Sequence, residues 1–132
     1  MSSLNSVTET CVVSASIDDV FQFLSNIENL PKWSTKFVQK LIISNGKYKA
    51  ITPIGEVFIK YVINKQAGLV DIHAGPSENH MNPAYLRVIQ FSENSTGIMF
   101  TFFQWSDTDD QTWKIFCDWI KIEVANIKKH FS

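Results

Sequence analysis

This sequence is poor in cysteine, poor in net charge and free of long apolar runs. Its two cysteines, Cys11 and Cys117, form no Cys-x-x-Cys pair, which excludes a zinc ribbon, a dithiol redox motif and a disulfide framework. Buried free thiols are the expectation. With 12 Lys and Arg against 13 Asp and Glu the formal charge is −1, and the basic residues are scattered, so nucleic acid is not an expected partner. Lys128-Lys129 reads as a helix terminus rather than a phosphate-binding patch. No segment approaches ~18 consecutive apolar residues, so no membrane span is expected. Met1–Ser6 lacks the basic start and apolar run of a signal peptide; it is expected to be disordered, and a cytoplasmic, reduced location is the default. No Gly-x-Ser-x-Gly, phosphate loop, dinucleotide fingerprint or Cys/His dyad is present. The three histidines contain no i, i+4 pair, so neither a metal nor a cofactor is expected.

What is present begins with the last stretch, Asp109 to Phe131. Trp113, Phe116, Cys117, Ile120, Val124, Ile127 and Phe131 recur at spacings of three and four, the stripe of one long amphipathic helix. Thr108 and Gln111 form a capping-box signature, aspartates crowd the positive end of the dipole, and Lys128, Lys129 and His130 lie at the negative end. At ~1.5 Å per residue this helix is long enough to cross a small domain. Upstream, Val7–Ser14 reads as a strand. Ser16 caps a short helix with Val20, Phe21 and Leu24 on one face, and Glu28–Trp33 is a second helical turn, entered through Asn29 and interrupted by Pro31.

The rest is β-rich. Phe37–Ser44 and Lys47–Thr52 flank Asn45-Gly46, the strongest short hairpin signal, which sets Ile43 opposite Tyr48 and Leu41 opposite Ala50. Strands follow at Glu56–Asn64, Leu69–Ala74, Ala84–Ser92 and Ile98–Trp105, with a loop expected over Gly75–Pro83. Centring each turn groups Ile59, Tyr61, Ile63, Val70, Ile72, Ala74, Leu86, Val88, Phe100 and Phe102 on one apolar face that should meet the helix. The opposite face carries Lys40, Lys47, Lys49, Lys60, Asp71, His73, Arg87 and Thr101. Asp71 falls opposite Arg87 if the 75–83 connection is symmetric. The expected class is α+β: a curved antiparallel sheet of about seven strands wrapped around the C-terminal helix, with two short helices near the N-terminus, in one domain spanning 1–132.

Ser14–Leu24 (Ser-Ala-Ser-Ile-Asp-Asp-Val-Phe-Gln-Phe-Leu), followed by Asn29-Leu30-Pro31-Lys32-Trp33, resembles the opening of the START-like, polyketide cyclase/dehydrase-like superfamily. Gly68-Leu69-Val70-Asp71, Leu86-Arg87-Val88 and Phe100-Thr101-Phe102-Phe103 are similar to later strands of its small bacterial members. The resemblance runs from Val7 to Phe131 and implies the helix-grip fold, with a cavity between sheet and helix for an apolar small molecule. The superfamily's plant branch has a glycine-rich loop where this chain has only Asn45-Gly46, which argues against plant-type loop contacts.

On that reading Tyr48, Tyr61, Ile72, Phe100 and Phe102 of the sheet face Trp113, Phe116 and Ile120 of the helix as candidate ligand-binding residues. Trp33 either edges the mouth or anchors the core, and the aromatics could equally interlock into a filled core. Glu78 and His80 are the pair placed for acid–base chemistry over a mouth. Catalysis is left open. Ile115, Trp119 and Ile122 on the helix, with Phe58, Val62, Ile89 and Phe103 on the wet face of the sheet, are surplus apolar surface consistent with a homodimer. Three functions follow: an apolar-ligand binder, a cyclase/dehydratase-type enzyme using the same cavity, and an interaction module with a filled core.

Overall fold

The computed structural model describes residues 4–132; the expectation of disorder for Met1–Ser3 lies outside the described residues. Residues 4–6 do not follow that expectation. Ser6 opens strand β1 (Ser6–Val13), and the Asn5 side chain donates to Gln104 Oε1 at 2.9 Å. Helix α1 (Ile17–Ser25) follows, its first turn closed by Ser16 Oγ accepting from the Asp19 N–H. Asn26, rather than Asn29, caps the next turn, a 3-10 turn over Ile27–Asn29. It leads directly into α2 (Leu30–Trp33), where Pro31 occupies the first turn and its missing N–H costs no helical bond.

Strands β2 (Lys40–Ser44), β3 (Lys47–Thr52), β4 (Gly55–Asn64), β5 (Leu69–Ser77), β6 (His80–Ser92) and β7 (Ser95–Phe103) complete an antiparallel sheet in the order β1-β7-β6-β5-β4-β3-β2. Helix α3 (Asp110–His130) packs across it. The fold is the expected helix grip. Ile43 pairs with Tyr48 and Leu41 with Ala50 around a turn in which Asn45 and Gly46 both have positive φ, 53° and 75°.

Most of the apolar face forms as expected, though Ile63 toward the end of β4 is 46 % exposed rather than covered by the helix. Tyr61 pairs with Ile72, Ile63 with Val70, Val70 with Leu86, and Leu86 with Phe100. Val70, Leu86 and Ile98 are at most 1 % exposed beneath α1 and α3.

Three local expectations need correction. Gly75–Pro83 is not a loop: β5 and β6 continue through it to a tight turn at Glu78-Asn79, with a bulge between Ala74 and Ser77. Gly75 permits this, because a Cβ there would run into the His80 carbonyl oxygen, while the bulge accommodates Pro76 without a ladder bond. The turn centred between Glu78 and Asn79 rather than on Asn79 moves the register by one residue and the bulge by another, so Asp71 faces Tyr85 and Arg87 faces Leu69. Arg87 Nη1 still reaches Asp71 Oδ1 diagonally at 2.8 Å. Finally, α3 is capped by Asp109 rather than by a Thr108/Gln111 box: Asp109 Oδ1 accepts from the Thr112 N–H at 2.7 Å, and this bond holds the Asp109 carboxyl below its usual range.

Candidate functional site

A cavity of about 250 Å³ opens between α3 and one end of the sheet. The helix wall is Thr112, Phe116, Trp119 and Glu123, spaced four, three and four residues apart. This stripe is turned by roughly 90° at 3.6 residues per turn from the buried one containing Trp113, Ile120, Val124 and Ile127. The sheet wall comprises Val57, Ile72, Ala74, Ala84, Phe100 and Phe102, and the floor Leu30, Trp33, Ser34 and Phe37. At the mouth stand Ile54, Asn82 and Asp107, the last two joined by Asn82 Nδ2 donating to Asp107 Oδ1 at 2.9 Å.

Aromatic rings form a hoop around this space. Trp33 meets Phe100 edge-on at 5.5 Å, Phe100 meets Phe102 at 4.9 Å, and Phe102 meets Phe116 at 6.2 Å. Phe116 then meets Trp119 at 5.6 Å and Trp119 meets Phe37 at 6.0 Å. These separations fall in the range favoured by ring quadrupoles. Asn126 fastens the floor to α3 by donating to the Trp33 carbonyl and to Thr35 Oγ1, each at 3.0 Å.

Of the residues expected to bind ligand, Trp33, Ile72, Phe100, Phe102 and Phe116 line the cavity, and Tyr48, Tyr61, Trp113 and Ile120 are not among its lining residues. Trp113 and Ile120 are buried on the other stripe of α3. Tyr48 is half-buried between Ile43 and Ile59 near the sheet edge. Glu78 and His80 are also elsewhere: they are exposed at the hairpin tip, Glu78 paired with Lys47 at 2.6 Å and His80 Nδ1 with Ser77 Oγ at 3.1 Å. Trp119, read as surplus surface, belongs to the cavity wall.

The residue that the stripe analysis passed over is Glu123. It lies three residues after Ile120 and four before Ile127, an apolar position by spacing, and is only 2 % exposed. Its one hydrogen-bond partner is Ser34, whose Oγ donates to Glu123 Oε2. No lysine, arginine or histidine pairs with it among the described residues. Burial therefore pushes its carboxyl up to about 8, with the Ser34 hydrogen bond pulling the other way, so the group is mostly a neutral acid at pH 7.

Among the described residues two buried side-chain atoms have no hydrogen-bond partner, Trp33 Nε1 and Tyr61 Oη. Burial raises the Tyr61 phenol well above its usual value, and the charge of Glu123, once ionised, raises it further. Among the described residues no cluster of three His, Cys, Asp or Glu is placed to hold a metal ion, and Cys11 and Cys117 are free thiols. No described helix is long and apolar enough to cross a membrane.

A curved seven-stranded antiparallel sheet closed over one long helix, with two short helices after the first strand, decides the fold. This is a START-like fold. It is shared with a START superfamily protein from Mycobacterium smegmatis (TM-score 0.67, 11% identity, 96% of each chain covered). It is shared too with the Zhui aromatase/cyclase from Streptomyces sp. R1128 (TM-score 0.70, 10% identity, 97% of this chain and 93% of the other). The Aha1 dimer from Colwellia psychrerythraea is similar over 96% of both chains (TM-score 0.67, 17% identity). No protein-family model matches the sequence, and neither does the sequence of any curated protein. At these identities the likeness carries the START-like, polyketide cyclase-like fold and leaves function to the site.

Proposed function

We propose that this protein binds a small, mostly apolar molecule in the cavity between α3 and the sheet. The observation that carries the reading is the aromatic hoop from Trp33 to Phe37 around about 250 Å³, with the buried carboxyl of Glu123 in its wall. Binding sites for small molecules are of this kind, concave and apolar with a few convergent polar groups. The volume is just under the ~300 Å³ at which drug-sized sites begin, so the occupant is compact, of the order of two fused rings, with any excess protruding at the mouth.

The interaction-module reading presumed a filled core, which this cavity does not match. A cyclase/dehydratase-type enzyme is the second reading. Glu123 favours it, because a buried carboxyl of raised pKa is the group such proton transfers use, and START-like folds include an aromatase/cyclase. Self-association would have to use the outer sheet face, where Val12, Ile89, Phe91 and Met99 are exposed; sedimentation showing a monomer across micromolar concentrations removes it.

The test of binding is titration with the fluorescent probe N-phenyl-1-naphthylamine. Saturable binding with a blue-shifted emission is expected, and Ala84→Phe, which fills the space from the sheet wall, should weaken it at least tenfold. An absence of saturable binding, or binding indifferent to Ala84→Phe, overturns the proposal.

A further inference from the structure

Glu123 is an expensive residue to bury. An acid enclosed by Phe, Trp and Leu side chains loses its hydration without gaining a cation, whereas leucine in its place would cost nothing of the kind. Its surroundings are unbalanced in a particular direction. Ser34 already donates to the carboxyl, and burial keeps that carboxyl mostly protonated at neutral pH. Of the buried atoms without a partner among the described residues, the one on a cavity-lining residue is a donor, the Trp33 indole N–H. Unmatched buried donors cost free energy until an acceptor is brought to them.

We infer that the cavity selects an apolar ligand carrying an uncharged acceptor oxygen, such as a ketone or other carbonyl, which Glu123 holds by donating a hydrogen bond from its neutral carboxyl. This rests on the binding function proposed above and adds the polar half of the recognition. An ammonium-bearing ligand would need the carboxylate and would add further donors. A carboxylate ligand would meet no cation, since no described lysine, arginine or histidine pairs with Glu123. A carbonyl oxygen supplies acceptors and no donor, matching what the residues lack. The groups facing Glu123 are Ser34 from the segment after α2 and Tyr61 from β4. Two further acids are near this space: Asp107 at the cavity mouth, accepting from Asn82, and Glu9 on the inner face of β1, opposite Phe100. Tyr61 stays protonated at any ordinary pH, so Glu123 is the group whose titration should govern carbonyl binding.

The experiment compares 2-acetylnaphthalene with 2-ethylnaphthalene, nearly isosteric and differing in the acceptor oxygen, by competition against the fluorescent naphthylamine. The intact protein should prefer the ketone about tenfold or more, and the preference should fade as pH rises through about 8. Glu123→Gln, neutral and still a donor, should keep the preference and lose its pH dependence. Glu123→Leu should still bind the hydrocarbon and lose the preference for the ketone. Equal affinity of the two probes for the intact protein, or an undiminished preference in Glu123→Leu, overturns the inference while leaving the cavity reading in place. Failure of both probes to bind removes the cavity reading, and this inference with it.

Discussion

At one end of the space between the sheet and α3, Val20 and Leu24 of α1 share one core with Leu86, Ile98 and Ile127, and all five are at most 1 % exposed. At the other end, Phe102, Phe116 and Trp119 face Val57, Ala74 and Ala84 across open volume. The two ends share a sheet, a helix and an apolar character. They differ in their third wall. α1 crosses β6 and β7 at the filled end, whereas the hollow end has only the short α2 and Phe37 beneath it, and the β5–β6 ribbon there presents alanines. A cavity in this fold is thus a matter of where the small residues fall and where the second helix stops.

The sharpest way to break the comparison is through Glu123, which marks the hollow end as dry. The unfolded carboxyl releases its proton near 4.5 and the folded one near 8. Between those values the folded state holds the extra proton, so stability should fall as pH rises through this window and level off above it. At ~1.4 kcal/mol per pH unit the loss is on the order of 5 kcal/mol. Glu123→Gln should flatten the curve; denaturant melts of both proteins from pH 4 to 9 measure the difference. Identical curves would mean that the acid is solvated and the hollow end wet.

Next comes truncation at the filled end. Leu86→Ala should cost about 3–4 kcal/mol, lost burial plus a cavity that its neighbours cannot close, and lower Tm by roughly 10–15 °C. At the hollow end, Phe102→Ala should cost only about 1–2 kcal/mol, below the ~3–5 usual for a packed phenylalanine, because it enlarges a space already present; affinity for the naphthylamine probe should shift instead. Equal penalties at the two sites would erase the distinction. The smallest effect belongs to the wet face. A double-mutant cycle on Asp71 and Arg87, half-buried and diagonal across β5 and β6, should give a coupling of about 0.2–1 kcal/mol that weakens in high salt.

Much of this was legible in the residues. Asn45-Gly46 demands positive φ twice and so dictated the β2–β3 hairpin, while Ser16, followed by Asp18 and Asp19, dictated the start of α1. Alternation fixed which residues face α3, and it survived even where the register was misjudged. The off-centre turn and the bulge at 74–77 each move the pairing by one residue, two in all for Arg87, and an even shift returns every side chain to its own face. The Gly75–Pro83 stretch misled because glycine, proline and asparagine favour turns, yet they are tolerated in a bulged two-stranded ribbon whose close approach only glycine allows.

Glu123 was visible as a charge inside an apolar stripe, Ile120-x-x-Glu123-x-x-x-Ile127, but an i+3 position on a long helix serves a core or a surface equally well. The elements, their order and their apolar faces follow from local signals, because caps, turns and periodicity act over a few residues. That α3 carries two inward stripes, one packed and one lining a cavity that Glu123 edges, follows from long-range packing. That division depends on how far α1 extends over the sheet and on the rotation of α3 above it, both set by contacts between residues some ninety positions apart, such as Ser34 with Glu123 and Trp33 with Asn126.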